Sequence, residues 1–302
     1  MSKELRQATG TVRAAARQGR QAATSPGVLL LARCGYAAKG SVYLIIGSLA
    51  TKVALGDGGT TTDRNGALRA IYTQPFGKIL LAIVALGLVG YALWSFVQAL
   101  VDPEQQGTDG KGLAARLGFA AVGLSYAVLA LAALQLALGT GNGGKSSDTT
   151  TQDWTAQLLA LPFGPFLVVL VGLVVLGVAG YLFYRAYTAE FQKHLALAQL
   201  DAQGRQGIVT LGRCGYGALG IVFGIVGVFF IIAALRHNAG AAKGLGGALR
   251  ELARQPYGHV VLGIVALGLI AYGLFSLAQA RYRQFGPACS PGHKHPCAGR
   301  FA

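Results

Sequence analysis

The sequence predicts an all-α integral membrane protein: six transmembrane helices, arranged as three parallel-oriented helical-hairpin repeats around a pseudo-threefold axis. Three observations predict this fold. Only 12% of the residues are charged and 53% are hydrophobic, whereas a soluble domain has about 25% charged residues. Six apolar runs each supply the ~20 residues that a bilayer crossing needs. One pattern also occurs three times: Arg, any residue, Gly, an aromatic residue, three residues, Gly, two residues, an aromatic residue.

The three copies of this pattern begin at Arg33, Arg116 and Arg213. After each copy the chain continues with the rest of an apolar helix, a polar loop, a short amphipathic segment and a second apolar helix. This order divides the chain into a basic N-terminal segment, three repeats and a C-terminal tail, at residues 1–27, 28–104, 114–191, 208–285 and 286–302.

The apolar runs give approximate bounds for six helices. They are Val28–Ala54, 74–102, Ala114–Leu138, 161–188, Ile208–Leu235 and 255–282. Amphipathic segments are expected on the extracytoplasmic side, at residues 66–72, 154–161 and 247–252. Pro75, Pro162 and Pro256 are expected in the first turn of the second helices, where a missing N–H is tolerated.

The second repeat departs from the other two. Its Gly180-Tyr181 pair lies three residues further from Gly164 than the Gly90-Tyr91 pair lies from Gly77. About one extra helical turn there would rotate the packing face, so strict threefold symmetry is not expected in this repeat.

The repeated pattern places matching side chains on one stripe of each first helix. Tyr36, Lys39 and Tyr43 follow helical spacing. The equivalent residues are Phe119, Val122 and Tyr126 in the second repeat, and Tyr216, Leu219 and Phe223 in the third. These stripes either converge on a central axis or each face a separate partner helix. Lys39 is their only ionisable member. It either reaches to the membrane surface or binds an anion or a lipid phosphate.

Two further sets of residues are candidates for lipid contact. Arg33, Arg116 and Arg213 mark the ends of the first helices and are predicted to anchor lipid phosphates; a ring guarding an anion path is the alternative. Small residues recur on the fifth apolar helix at Gly217, Gly220, Gly224 and Gly227. This pattern predicts a groove for close helix packing, with a lipid or polyisoprenoid chain as the alternative occupant.

The cysteines fall into two groups. Cys34 and Cys214 occupy equivalent positions beside glycines and are predicted to be small buried residues. Residues of the kinds that bind Zn or Cu lie close together in the tail, at Cys289, His293, His295 and Cys297. Their spacing does not match that of standard zinc fingers. A plain polar tail or a Cys289–Cys297 disulfide are the other interpretations.

The net charge of +15 is attributed to loops that face anionic lipid headgroups. No basic patch with interleaved aromatic residues occurs, so no nucleic-acid partner is expected. Lys and Arg are more frequent on the side that holds both termini, which places the termini in the cytoplasm.

With these repeats in view, the chain resembles a bacterial membrane family known only as domain of unknown function 1206, over about residues 28–285. The motifs that carry the resemblance are Gly35-Tyr36, Gly215-Tyr216, Gln74-Pro75-Phe76-Gly77, Gln255-Pro256-Tyr257-Gly258, Gly247-Ala248-Leu249-Arg250 and Ala280-Arg281-Tyr282-Arg283. The resemblance implies three two-helix repeats and a bacterial inner membrane. It implies no activity, so no functional residues are transferred.

No catalytic set, phosphate-binding loop or dinucleotide fingerprint is found, and enzymatic activity is not expected. The sequence favours a non-enzymatic scaffold, accessory subunit or lipid-binding protein, with membrane lipids or another membrane protein as partners. A small channel or transporter with an anion or solute path along the axis is the first alternative. A metal- or redox-linked protein that uses the tail is the second.

Overall fold

The structure, a computed structural model, describes residues 26–57, 61–101, 109–140, 146–196 and 200–283. This part of the chain forms nine α-helices: α1 Pro26–Leu55, α2 Arg64–Tyr72, α3 Gly77–Val101, α4 Gly110–Leu138, α5 Ser147–Leu159, α6 Gly164–Thr188, α7 Ala202–Leu235, α8 Leu245–Arg254 and α9 Gly258–Tyr282. The described residues contain no β-strand, and a single isolated bridge joins Leu195 to Arg283.

Six of these helices, α1, α3, α4, α6, α7 and α9, are long and apolar enough to cross a bilayer. Mean hydropathy is 1.3 in α1 and lies between 2.1 and 2.8 in the other five. The prediction of a six-helix membrane protein is confirmed. Within each repeat the two spans are joined through one short helix, namely α2, α5 or α8.

The spans form a ring that has one gap. Neighbouring repeats pack through α3 on α4, α6 on α7, and α9 on α1. Within the first repeat α1 packs on α3, and within the third α7 packs on α9. In the second repeat, among the described residues, α4 and α6 make no extensive contact with each other. We call this gap between Gly110–Leu138 and Gly164–Thr188 the seam.

Three equivalent glycines show the same difference between the repeats. A Cβ added at Gly35 would lie 2.6 Å from the backbone nitrogen of Tyr91, and one added at Gly215 would lie 2.6 Å from the Cα of Tyr272. A Cβ added at Gly118 would meet nothing within 4 Å. The first and third hairpins are therefore closed by direct backbone approach, and the second is not.

The cause lies in the register of α6. The helices α3, α6 and α9 are all 25 residues long, so the second repeat has no extra helical turn, contrary to the expectation. Instead, the Gly-Tyr pair is shifted by three residues within α6, which turns it by roughly 60° and moves it about 4.5 Å along the helix. A Cβ added at Gly177 or Gly180 would consequently meet nothing within 4 Å, whereas one added at Gly87 would contact Ala38.

The short helices connect the three repeats at the end of the bundle where the hairpins turn. Asp63 accepts a hydrogen bond from the backbone N–H of Gly66, 2.8 Å away, and so caps α2. Its other oxygen accepts one from the N–H of Ser147 at the start of α5. The side chain of Asp63 thereby joins the first repeat to the second.

A second carboxylate, Asp148, joins the second repeat to the third in the same way. Asp148 accepts hydrogen bonds from the N–H groups of Gly244 and Gly247, at 2.7 and 2.9 Å, and forms an ion pair with Arg250. The hydroxyl of Thr61 donates to the carbonyl of Gly246 at 3.4 Å, which joins the third repeat back to the first. We call these contacts, centred on Asp63 and Asp148, the ring lock.

Two helix starts differ from the prediction. The helix α5 begins at Ser147 rather than 154, because Ser146 caps it and Asp148 is tied to α8. The helix α7 begins at Ala202 rather than at 208, where Asp201 accepts from the N–H of Gly204. Polar sequences in both stretches had indicated loops.

The second helix of each repeat begins two residues after its proline, not with the proline in the first turn. The residue between them is aromatic and has a left-handed backbone: Phe76 with φ 59°, Phe163 with φ 64° and Tyr257 with φ 60°. Their side chains are 80%, 84% and 86% exposed. All three therefore project outward from equivalent positions of the bundle.

The prediction that Cys34 and Cys214 are buried is wrong, because both are exposed. The adjacent Gly35 and Gly215 face a neighbouring helix. One residue back along an α-helix turns the side chain by about 100°, which directs both thiols away from that contact.

Candidate functional site

Tyrosines from five of the six spans meet at the centre of the bundle. All are buried: Tyr36, Tyr43, Tyr91, Tyr126, Tyr216 and Tyr272. Ring centroids lie 5.2 Å apart for Tyr36 and Tyr91, 4.6 Å for Tyr91 and Tyr126, 4.9 Å for Tyr43 and Tyr272, and 5.6 Å for Tyr216 and Tyr272. All four contacts are edge-to-face, the arrangement that aromatic quadrupoles favour. We call these six residues the tyrosine cluster.

Lys39 lies inside the tyrosine cluster and is only 7% exposed. Its Nζ donates a hydrogen bond to the Oη of Tyr91 at 3.0 Å. The same nitrogen is 4.9 Å from the ring centroid of Tyr91, 4.8 Å from that of Tyr272 and 5.9 Å from that of Tyr36. The side chain therefore does not reach to the membrane surface. It lies in an aromatic cage formed by the first and third repeats.

Three arginines surround the cluster, each over a tyrosine ring. Arg185 of α6 lies 4.7 Å from the centroid of Tyr216, and Arg283 lies 5.0 Å from that of Tyr36. Arg64, at the start of α2, lies 5.3 Å from the ring of Tyr126 and donates to the hydroxyl of Ser125 at 3.0 Å. All six spans thus contribute to one tyrosine and cation centre.

The contacts of Lys39 and Arg185 are with aromatic rings and a phenol, and in the described residues neither forms an ion pair with a carboxylate. A charge inside a bilayer is costly unless it is paired or solvated. Cation–π contacts recover only about 0.5–2 kcal/mol each. Among the described residues, the charges of Lys39 and Arg185 are therefore not balanced by a carboxylate partner.

The other members of the predicted stripes are placed less centrally. Leu219 is buried, Phe119 and Phe223 are half-buried, and Val122 is exposed. The first repeat brings its whole stripe into the centre, and the third brings Tyr216. The second contributes Tyr126 alone, because the neighbouring positions of α4 border the seam.

Two of the three pattern arginines cap helices. Arg116 donates to the carbonyls of Ala99 and Leu100 at the end of α3, at 2.7 and 3.0 Å. Arg213 donates to the carbonyl of Tyr187 at the end of α6, at 3.4 Å, beside a recess of about 440 Å³. A cation at a helix C-terminus satisfies carbonyls that have no partner within the helix. Arg33 is exposed, and lipid-phosphate binding stays a prediction for all three.

The glycines of α7 lie mainly against α6. A Cβ added at Gly220 would meet the ring of Phe183 at 3.1 Å, one at Gly227 would meet Leu176 at 2.8 Å, and one at Gly224 would meet Ala179 at 4.0 Å. Gly217 has open space beside it.

The predicted metal ligands Cys289, His293, His295 and Cys297 lie outside the described residues. Within the described ranges, no group of three or more His, Cys, Asp and Glu side chains lies close enough to hold a metal ion.

The sequence patterns missed Arg185, Tyr91 and Tyr272 as site residues. A signal for Arg185 was present: four residues after the tyrosine of the Gly-Tyr pair, the first and third repeats have the buried serines Ser95 and Ser276, and the second has this arginine. Tyr91 and Tyr272 belong to the repeated pairs themselves. Their place in the site depends on which helices face each other, and the pattern of one sequence contains no information about that.

Comparison with known proteins gives one family and one relative. The family model described as Domain of Unknown Function (DUF1206) matches three times, at residues 34–102, 117–189 and 214–283. The chain is 35% identical over 260 residues to the Uncharacterized protein YxxB of Bacillus subtilis (strain 168), a match that covers 86% of this chain and 93% of that protein. No solved structure matches. The chain therefore belongs to the DUF1206 family, as a member built from three consecutive copies of its two-helix unit.

Proposed function

We propose that this protein is a non-enzymatic lipid-binding protein of the bacterial plasma membrane, and that its lipid occupies the seam between α4 and α6. The observation that carries the proposal is the loss of hairpin packing in one repeat of three, directly beside the tyrosine and cation centre. The bilayer is continuous with such a gap, so its molecules are the nearest occupants.

Burial along the spans supports this placement. In the most apolar part of α6 only 17% of the residues are buried, and in α4 33%, against 50% in α1, α3 and α9. The exposed residues of α4 and α6 are mostly large and apolar, such as Leu117, Leu124, Leu173 and Val174. These walls suit acyl chains, while the tyrosine hydroxyls and cations behind them suit a headgroup.

A filled axis favours binding over permeation. Tyr36, Tyr43 and Lys39 occupy the centre of the bundle and are almost fully buried. A channel needs a continuous polar lumen that is wider than a water molecule. The channel or transporter alternative would require these side chains to move aside, and so would be revealed by ion or solute flux in liposomes.

The orientation that we propose follows from the distribution of Lys and Arg. Both ends of the described chain lie on the side that carries more of these residues, which is the cytoplasmic side for short loops. The ring lock then faces the extracytoplasmic side, and Arg185 lies near the cytoplasmic leaflet.

A bulky residue in the seam tests the proposal. Val174 is 60% exposed and lies within about 20° of Arg185 around α6, so Val174→Trp is expected to fold and to obstruct the seam. A tryptophan that excludes about two methylene groups of an acyl chain from the seam weakens lipid binding about tenfold. The measurement is the number of lipid molecules that stay bound to the detergent-purified full chain through delipidation, determined by native mass spectrometry.

The matched control is Gly180→Trp, which adds the same ring where a Cβ meets nothing within 4 Å, about 140° around α6 from Arg185. We expect G180W to retain lipid as the wild type does and V174W to lose it. Equal retention by the two variants would contradict a lipid site in the seam and would favour a scaffold role through the outer surface.

A further inference from the structure

We infer that the lipid in the seam is an anionic phospholipid, whose phosphate is bound by Arg185 with Lys39 behind it. This inference rests on the proposed function and names its ligand class. The observation that carries it is Arg185 beside the seam with Lys39 further in, two cations that no carboxylate of the described residues pairs with.

Arg185 is placed at the depth of a headgroup. It lies three residues before the end of α6 at Thr188, which is about 4.5 Å from the helix end. The central carbon of its guanidinium lies 4.7 Å from the ring centroid of Tyr216. A planar guanidinium binds phosphate oxygens bidentately and tolerates burial better than an ammonium group does.

The other two repeats have a neutral residue where the second repeat has Arg185. Counted from the start of the second helix, Gln98 and Gln279 stand at the position of Arg185 in the closed hairpins, and both are buried. The second repeat has a cation at this position and is also the repeat whose hairpin is open. The charge and the opening therefore occur together, as a lipid site requires.

Lys39 extends the positive potential inward from Arg185. Arg185 lies over the ring of Tyr216, Tyr216 contacts Tyr272 at 5.6 Å, and Lys39 lies 4.8 Å from the ring of Tyr272. The two cations are thus joined by two aromatic rings. A phosphate that entered between α4 and α6 would meet Arg185 first, with the charge of Lys39 and the tyrosine hydroxyls beyond it.

This charge arrangement selects among lipids. A zwitterionic phospholipid brings its own ammonium group, which the positive centre repels, whereas an anionic phospholipid leaves one negative charge to balance the two cations. Charge-assisted contacts with a phosphate, in a site shielded from water, are strong enough to give about a tenfold preference.

The experiment compares delipidated full-length protein in detergent that is given phosphatidylglycerol or phosphatidylcholine with the same acyl chains. Bound lipid is counted by native mass spectrometry for the wild type, Arg185→Met and Lys39→Met. Arg205→Met is the control, because Arg205 is exposed on the same side of the bundle. A further arm gives inorganic phosphate alone and measures the thermal stability of the wild type.

We expect the wild type and R205M to prefer phosphatidylglycerol about tenfold, and R185M to lose most of that preference while it still binds both lipids. We expect K39M to reduce the preference by a smaller factor. Because K39M also alters the buried cage, R185M is the deciding variant.

Equal binding of the two lipids by the wild type, or an unchanged preference in R185M, would overturn the inference. Stabilisation by inorganic phosphate to the same extent as by phosphatidylglycerol would also overturn it, since a free anion would then suffice. These outcomes are distinct from failure of the proposed function, in which G180W and V174W retain equal amounts of lipid of either kind.

Discussion

At the scale of single residues, three aromatic side chains occupy positions that glycine would fill without strain. Phe76, Phe163 and Tyr257 have positive φ and precede the second helix of each repeat. An L-residue in this conformation costs roughly 1–2 kcal/mol. Their exposed rings lie at the hairpin end of the bundle, where aromatic residues favour the membrane interface. We infer that this strain is tolerated because it places three aromatic side chains at the membrane interface.

This interpretation predicts different results for two variants of one residue. Phe76→Ala removes the ring and keeps the strain, whereas Phe76→Gly removes both. In detergent micelles, the free energy of unfolding of F76G should be about 1 kcal/mol larger than that of F76A. Thermal unfolding of the purified variants measures this difference, and equal stability of the two would show that no strain is stored there.

Single residues also show what the sequence could and could not predict about the site. Lys39 was identified because an ionisable residue within an apolar span is unusual. Its aromatic cage was not identified, because Tyr272 comes from a helix more than 200 residues away along the chain, and one sequence contains no information about which helices meet. Arg185 was missed because it lies near a helix end, where arginine is common.

At the scale of helices, glycine positions record which hairpins are closed. Gly35 and Gly215 lie against the backbone of the following helix, and Gly118 does not. This difference predicts that Gly35→Ala and Gly215→Ala each destabilise the protein by about 1–3 kcal/mol through overpacking. Gly118→Ala should be neutral or slightly stabilising, because alanine is the better helix former by about 1 kcal/mol.

The three alanine variants can be compared by thermal unfolding of the full chain in the same detergent and again in lipid nanodiscs. Each is the control for the other two, since the three positions are equivalent in the repeat. If G118A were as damaging as G35A, the second hairpin would be closed in solution, and the seam with its proposed lipid would be excluded.

The six spans were predictable because each is a long apolar run and because the pattern recurs three times. The starts of α5 and α7 were not. Ser147, Asp148 and the threonines that follow have low helix propensity, and contacts of Asp148 with α8 stabilise the helix instead. The register shift in α6 was visible in the position of Tyr181, but its consequence, an open hairpin, depends on packing that a single sequence does not specify.

At the scale of the whole molecule, the ring lock holds the three repeats together across the seam. Asp148 is its most connected member, with two backbone donors and Arg250. Removing the carboxylate leaves both N–H groups without their acceptor, at a cost of roughly 1–3 kcal/mol. Asp148→Ala should therefore lower the unfolding temperature and increase hydrogen exchange in α5 and α8, while the six spans stay inserted.

Asp57→Ala is the control for this variant, since Asp57 is an exposed carboxylate at the same end of the bundle. Hydrogen exchange followed by mass spectrometry resolves the two short helices separately from the spans. Exchange in D148A that matched D57A would show that the short helices are held by their apolar faces alone.

The packing of α1 against α9 has a consequence for biosynthesis. The first span is the least apolar of the six, with a mean hydropathy of 1.3, and it carries Lys39. Its extensive contact with α9 cannot form until the ribosome has delivered the last span. Until then the ammonium group lacks the ring of Tyr272, and Gly40 and Gly47, which lie against Gly273 and Ile270 of α9, lack a partner. Nascent chains that stop after the second repeat should thus be substrates for membrane quality control, and assembly should become stable only once translation is nearly complete.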